Sequence, residues 1–197
     1  SDQPTLGPLA AAWIEAHCKV TDGFHRGDPF VLDGWQLECT LNHYRVRPKA
    51  RLGKGGFSGA TQFVFRRSMF VGPQKTGKSP LGSALTTFEA VGPCLHAGWA
   101  GGGEKYRCSE HGCGCGFEWE YLPGEPMGMP RPTSFIQLLA TAEDQTDNVF
   151  RPLQDMIRLG PLQEQMKVTD GISFIGMIPN MVYNFGSALL RSVGDTR

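Results

Sequence analysis

Apolar residues fall into short runs along this chain, separated by stretches rich in glycine and proline. Residues 9–17, LAAAWIEAH, are alanine-rich and carry Trp13, which predicts a short helix. Asp33 stands where a helix would be capped, and Leu37 and Leu41 behind it share one helical face from about Gly34 onward. The text TQFVFRRSMFV over 61–71 predicts a strand. Arg66 and Arg67 interrupt it, so at least one must reach an edge, a phosphate or solvent. Leu81, Ala84, Leu85 and Phe88 follow at helical spacing, and Gly92-Pro93 is a stop signal. An apolar strand is predicted over 135–140. After it comes a helix on Val149, Leu153, Met156 and Ile157, capped by Asp144 or Thr146 and closed by Gly160-Pro161. Beyond Leu162 one more strand-like run, GISFIGMIPNMVY over 171–183, precedes a stretch with helical character at 184–193.

The central strand, break and helix carry the clearest chemistry. Residues 72–79, GPQKTGKS, fit the phosphate-loop pattern G-x-x-x-x-G-K-[ST]. Gly72, Pro73, Gln74, Lys75, Thr76 and Gly77 would form an anion nest with the helix N-terminus behind it. Lys78 is expected to reach the β- and γ-phosphates of ATP, and the Ser79 hydroxyl to hold Mg²⁺. Pro80 falls in the first helical turn, where its missing N–H does little harm. Two roles stand open for Gln36: a side-chain amide offered to an adenine edge, or an exposed helix position. Thr141, Glu143, Asp144 and Gln145 lie at the carboxyl end of the second predicted strand, where ligands bind in open α/β sheets. Capping and ligand contact are both available to them.

A chain of 197 residues, 40% of them hydrophobic, suits one α/β domain with a small addition. Twenty-six glycines and 14 prolines require many loops, and 47–60, rich in Gly and Lys, reads as one. No apolar run approaches the roughly 18 residues of a membrane-spanning helix. The start lacks the basic region of a signal peptide, so a soluble, intracellular protein is expected. Zero net charge argues against a generic nucleic-acid binder, yet no acidic residue falls between Glu38 and Glu89. Arg45, Arg47, Lys49, Arg51, Lys54, Arg66, Arg67, Lys75 and Lys78 all do. Such a block suits a polyanion, either the nucleotide or a nucleic-acid backbone, or else forms a solvated loop.

Residues 93–132 are too long and too rich in Gly and Pro for an ordinary strand–helix connection, and read as a surface insertion. They hold Cys94, Cys108, Cys113 and Cys115, with His96 and His111. A tetrahedral zinc site on Cys108, His111, Cys113 and Cys115 is one reading, and a loop of reduced thiols is the other. An intracellular setting disfavours disulfides.

Four segments resemble one family. RPTSFIQLLATAEDQTDNVFRPL (131–153), GPQKTGKSPLGSAL (72–85), GFEWEYLPGEPMGMPRP (116–132) and FVLDGWQLE (30–38) are similar to large terminase subunits of tailed phages, those of actinobacterial hosts in particular. The resemblance spans roughly 30–162 and is most specific around EDQTDN at 143–148. It implies an additional-strand P-loop ATPase that drives double-stranded DNA through a portal into the capsid, with a separate C-terminal nuclease. Portal protein, small terminase subunit and a homo-oligomeric ring in the host cytoplasm are the implied partners and setting. By matching position, Gly72, Gly77, Lys78 and Ser79 would hold phosphates and Mg²⁺, Gln36 would meet the base, and Arg66 or Arg67 would sense the γ-phosphate.

The implied layout is an N-terminal, adenine-side segment over 1–62, a partial ATPase core over 63–162 and a divergent tail over 163–197. Hydrolysis in such motors needs an Asp-Glu pair at the end of an apolar strand, and the run at 171–183 passes through Pro179-Asn180 instead. Carboxylates spaced for a metal nuclease are also missing. The chain therefore reads as the front half of a motor domain, truncated or altered near its end, with nucleotide binding kept and hydrolysis weak or absent. The competing readings are a zinc-stabilised binding module with a vestigial phosphate loop, and an unrelated P-loop enzyme such as a small-molecule kinase.

Overall fold

The computed structural model describes residues 3–53, 60–132, 134–141, 143–169, 174–177 and 188–194. Helix α1 (Gly7–His17) buries Leu9, Ala10, Trp13, Ile14 and His17, which makes it a core helix along most of its length. Gly7 lets it lie directly on α2 (Gly34–His43), since a Cβ there would come 2.5 Å from the Leu41 Cα. α2 starts at Asp33 as its sequence predicts, but its deeply buried positions are Gln36 and Thr40, while Leu37 and Leu41 are only half-buried. The polar pair can go inside because its groups are used: Thr40 Oγ1 donates to the Gln36 carbonyl at 2.8 Å.

Helix α3 (Lys78–Val91) runs behind the phosphate-loop motif and stops at Gly92 as predicted. Phe88, fully buried on α3, receives Trp13 edge-on at 5.5 Å and Tyr44 at 5.3 Å. These rings join α1, the end of α2 and α3 into one core. Burying a side chain the size of Phe88 stabilises the fold by about 2–3 kcal/mol. Helix α4 (Glu143–Leu159) adds Phe150, Leu153, Met156 and Ile157 from the other side. Ser83 Oγ on α3 lies 2.7 Å from the Val149 carbonyl of α4, which fixes how closely the two helices approach.

The cysteine-rich region is not a bare surface loop. β1 (Leu95–Trp99) pairs antiparallel with β4 (Pro126–Met129), and β2 (Lys105–Arg107) pairs antiparallel with β3 (Glu118–Glu120). Cys94, Tyr106, Cys108, Cys113 and Tyr121 from this region are buried in the common core. Length and glycine content suggested a loop because each ribbon strand is too short for period-two alternation to register.

β5 (Ser134–Ala140) forms as predicted, and leads a four-stranded sheet ordered β5-β8-β7-β6 with β6 (Met166–Thr169), β7 (Phe174–Met177) and β8 (Ala188–Gly194). β8 lies parallel to β5, whereas its pairing with β7, and that of β7 with β6, is antiparallel. The helix expected at 184–193 is therefore corrected: its described part is strand, and 184–187 lie outside the described residues. A ladder along seven residues of β5 gives this segment the backbone bonds that an isolated short helix cannot sustain in water.

The strand expected at 61–71 is also corrected. Phe63 makes one isolated bridge to Val46, and the Val64 amide donates to the Arg45 carbonyl at 2.9 Å. From Phe65 to the loop the chain runs without a strand partner among the described residues, leaving Met69 86% and Val71 84% exposed. Two consecutive arginines break the apolar run, and both stay exposed. Among the described residues no helix is long and apolar enough to cross a membrane.

Candidate functional site

The first candidate site is the turn between the exposed 65–71 segment and α3. Two left-handed residues curl the chain here, Lys75 at φ 62° and Gly77 at φ 81°. A left-handed Gly is easily accommodated, but a left-handed Lys is unusual and marks a tight, specified turn. Gln74, Lys75 and Gly77 form no hydrogen bond through their amides with any other described residue, and 74–75 lie in a hydrogen-bonded turn. Thr76 Oγ1 donates to the Pro73 carbonyl at 3.0 Å, closing the turn on itself. Lys78, the first residue of α3, folds its ammonium back over the loop, donating to the Gly72 carbonyl at 2.8 Å and to that of Pro73. Ser79 follows, half-buried on the first turn of the helix.

This arrangement puts a cation, a set of free amides and the positive end of a 14-residue helix on one small concave surface. A cleft of about 360 Å³ opens beside it, lined by Trp35, Cys39, Met69, Phe70, Val71, Gly72, Pro73, Thr76 and Lys78. A larger cavity of about 610 Å³ touches none of residues 72–79. It lies against α3 and β5, where Tyr44 Oη and Arg131 Nη2 each donate to the Glu89 carboxylate at 2.8 Å. Burial, with Glu89 beside it, holds the Tyr44 hydroxyl well above its usual pKa. Nothing in the sequence pattern pointed to this network, because its members are 42 and 45 positions apart.

Gln36 stands next to the loop but does not open towards the cleft. Its Oε1 accepts from the Asp33 amide at 2.9 Å, its Nε2 donates to the Gly77 carbonyl at 3.2 Å, and only 3% of the residue is exposed. Arg66 borders a separate cavity with Phe65, Glu89 and Arg131, and Arg67 is exposed on the segment before the loop. At the far end of β5, Thr141 Oγ1 donates to Gln145 Oε1 at 2.9 Å, an arrangement at the start of α4. The side chains of Glu143 and Asp144, and Lys54 of the basic block, lie outside the described residues.

The second candidate is a cluster of His17, Cys108, Cys113 and Cys115, whose ligand atoms all fall within 4.8 Å of one another. His17 Nε2 lies 3.3 Å from Cys108 Sγ and 3.2 Å from Cys115 Sγ. Sequence spacing points to His111 in this place. His111 instead stacks on Tyr106 with ring centroids 5.0 Å apart, while the last residue of α1 enters from 91 positions away. The group is strongly polarised. Burial by itself would lower the His17 pKa, but hydrogen bonds with Cys113 and Cys115 outweigh it and raise the value to about 9. Cys113 is pushed down to about 4, first by its hydrogen bond from Cys108 and, against burial, by His17. Cys108 is driven upward by sharing that proton with Cys113 and by burial.

No family model matches the chain, and no curated protein does. Among solved structures the crystal structure of the bacteriophage HK97 large terminase is similar, with a TM-score of 0.52 and 19% sequence identity. The alignment covers 98% of this chain and 29% of that one, so the chain spans less than a third of the protein it resembles. At this identity the likeness is one of fold: a mixed α/β, terminase-like arrangement.

Proposed function

We propose that this chain binds ATP and Mg²⁺ at residues 72–79 as the nucleotide-binding part of a phage DNA-packaging motor of the large terminase type, built on an additional-strand P-loop core. The observation that carries this reading is the state of the loop: its amides at 74, 75 and 77 are free of described partners, and Lys78 occupies the loop's own carbonyls. A triphosphate draws the ammonium away from those carbonyls and takes the amides. Ser79 then presents its hydroxyl to Mg²⁺, and the base lies in the cleft at Trp35. Gln36 acts on the nucleotide through Gly77, because both ends of its amide are engaged by protein. Arg66 and Arg67, exposed ahead of the loop, remain the cations to face a γ-phosphate.

On this reading 1–62 forms the adenine-side segment, 63–162 the partial core and 163–197 a divergent tail. The partners are double-stranded DNA, a portal protein, a small terminase subunit and further copies in a ring, in the host cytoplasm. Isolated, the chain hydrolyses ATP slowly or not at all, since no Asp-Glu pair ends an apolar strand in its sequence.

The test is Mg²⁺-dependent ATP binding by calorimetry for the wild-type chain and Lys78→Ala. Losing a charge-assisted contact predicts an affinity about tenfold to hundredfold weaker, with an unchanged melting curve. Equal affinity for both proteins, or no binding by either, removes the reading. A zinc-stabilised binding module with an idle loop is the second reading, favoured by the His/Cys cluster. It predicts that Lys78→Ala changes nothing.

A further inference from the structure

We propose that His17, Cys108, Cys113 and Cys115 form a structural Zn²⁺ site that fastens the cysteine-rich ribbons to helix α1. The proposal is independent of nucleotide binding. A tetrahedral zinc with Zn–S near 2.3 Å and Zn–N near 2.0 Å requires ligand atoms about 3.5–3.8 Å apart. The four atoms here lie within 4.8 Å of one another, and the separations of His17 Nε2 from Cys108 Sγ and Cys115 Sγ are 3.3 and 3.2 Å. A centring ion would close the widest of these separations by up to about 1 Å.

The histidine is already set for the task. Its Nδ1 lies 2.7 Å from the Trp13 carbonyl, one helical turn back. A carbonyl only accepts, so Nδ1 carries a proton and Nε2 is the nitrogen left to face the sulfurs. The ring is held flat against Trp13 at 4.1 Å and edge-on to Phe117 at 5.6 Å. On the sulfur side, the Phe117 amide donates to Cys115 Sγ at 3.4 Å, a bond that favours a thiolate. His17 and Cys108 are 0% and 1% exposed, Cys113 is buried and Cys115 part-buried, and four protein ligands complete a tetrahedral shell of the structural kind. Three thiolates and one imidazole form a soft donor set that suits zinc and is poor for magnesium or calcium. On binding, the protons still held by the thiols and by His17 Nε2 pass to solvent, so that three thiolates and a neutral imidazole coordinate.

The mechanical consequence follows from where the ligands sit. His17 ends α1, which reaches α3 through Trp13 and Phe88, while Cys108, Cys113 and Cys115 lie between β2 and β3. The ion closes a covalent circuit between the ribbons and the helix beside the one that begins at Lys78.

The experiment uses the full chain purified under reducing conditions, loaded with zinc and freed of excess by gel filtration. Elemental analysis should give about one zinc per chain. X-ray absorption at the zinc edge should show three sulfurs and one nitrogen. Cys113→Ser and His17→Ala should fall to about a tenth of that content or less, while His111→Ala keeps it. If either variant fails to fold, the absorption spectrum of the wild-type chain and the His111→Ala result decide alone. A chain that retains no zinc, a ligand set other than three sulfurs and one nitrogen, loss of zinc in His111→Ala, or a disulfide among the three cysteines under these conditions overturns the proposal.

Discussion

Gln36 Nε2 donates to the carbonyl of Gly77 at 3.2 Å, across 41 positions of chain. One side chain thereby joins the N-terminus of α2 to the residue that caps α3. The same amide's oxygen takes the Asp33 N–H, so the group that shapes the start of one helix also fixes the peptide leading into the other. A loop that must present free amides cannot bond to itself extensively, and its rigidity has to come from a neighbour.

Gln36→Leu should therefore damage the loop without touching it. The change leaves the Asp33 amide without its partner and takes one of two donors from the Gly77 carbonyl, which keeps the Leu81 amide at 3.1 Å, in a site where Gln36 is 3% exposed. Unsatisfied groups of this kind cost about 1–3 kcal/mol each when water cannot reach them. Chemical denaturation should show a loss of that order, and ATP affinity should fall alongside. Unaltered ATP affinity in a folded Gln36→Leu protein would mean the loop holds its shape without this bond.

Gly77→Ala should be costly for two separable reasons. The residue sits at φ 81°, where an L side chain is strained, and the new Cβ would lie 2.9 Å from Gln36 Nε2. The end of a glutamine is flexible in general, but this one is fixed at both atoms. A loss of about 1–3 kcal/mol is expected. In a Gln36→Ala background the steric part disappears and the backbone part stays, so the double variant should be less destabilised than the two single changes summed. Strict additivity would refute the clash.

The helices of this fold were legible because each carries its own punctuation. Asp33 opens α2, Gly92 ends α3, and Leu153, Met156 and Ile157 mark the inner face of α4. The phosphate-loop text and the cysteine cluster were legible for a similar reason, since their members are close in sequence. What failed was everything set by distant contact. His17 gives no sign of its role in LAAAWIEAHC, because its sulfur neighbours are 91 and 98 positions away, and His111 was preferred for mere proximity. The 61–71 segment has a strand's composition but finds no ladder among the described residues, whereas 188–194 gains one from β5. Gln36 looked like a surface or ligand-facing amide because its pairing with Gly77 is a property of packing, not of pattern.

His96 supplies the remaining prediction, and it concerns acid stability. The residue is fully buried on β1, and neither ring nitrogen has a hydrogen-bond partner among the described residues. Its nearest aromatic neighbour is Trp99, edge-on at 5.2 Å. Burial lowers its pKa below the ordinary histidine value of 6.5, and the Gly98 backbone acts in the opposite direction without cancelling it. The sign follows directly. Below about pH 6.5 the unfolded chain takes up a proton that the folded one refuses, so stability contributed by the neutral ring is present above that pH and lost as pH falls. His96→Phe keeps a ring in the pocket, removes two unsatisfied nitrogens and abolishes this proton uptake. The variant should be at least as stable as wild type at pH 8, and its advantage should widen between pH 7 and 5, measured by urea denaturation at each pH. An advantage that stays constant or shrinks as the solution is acidified would mean the buried imidazole finds a partner for its proton, and with it a role in the ribbons beyond filling space.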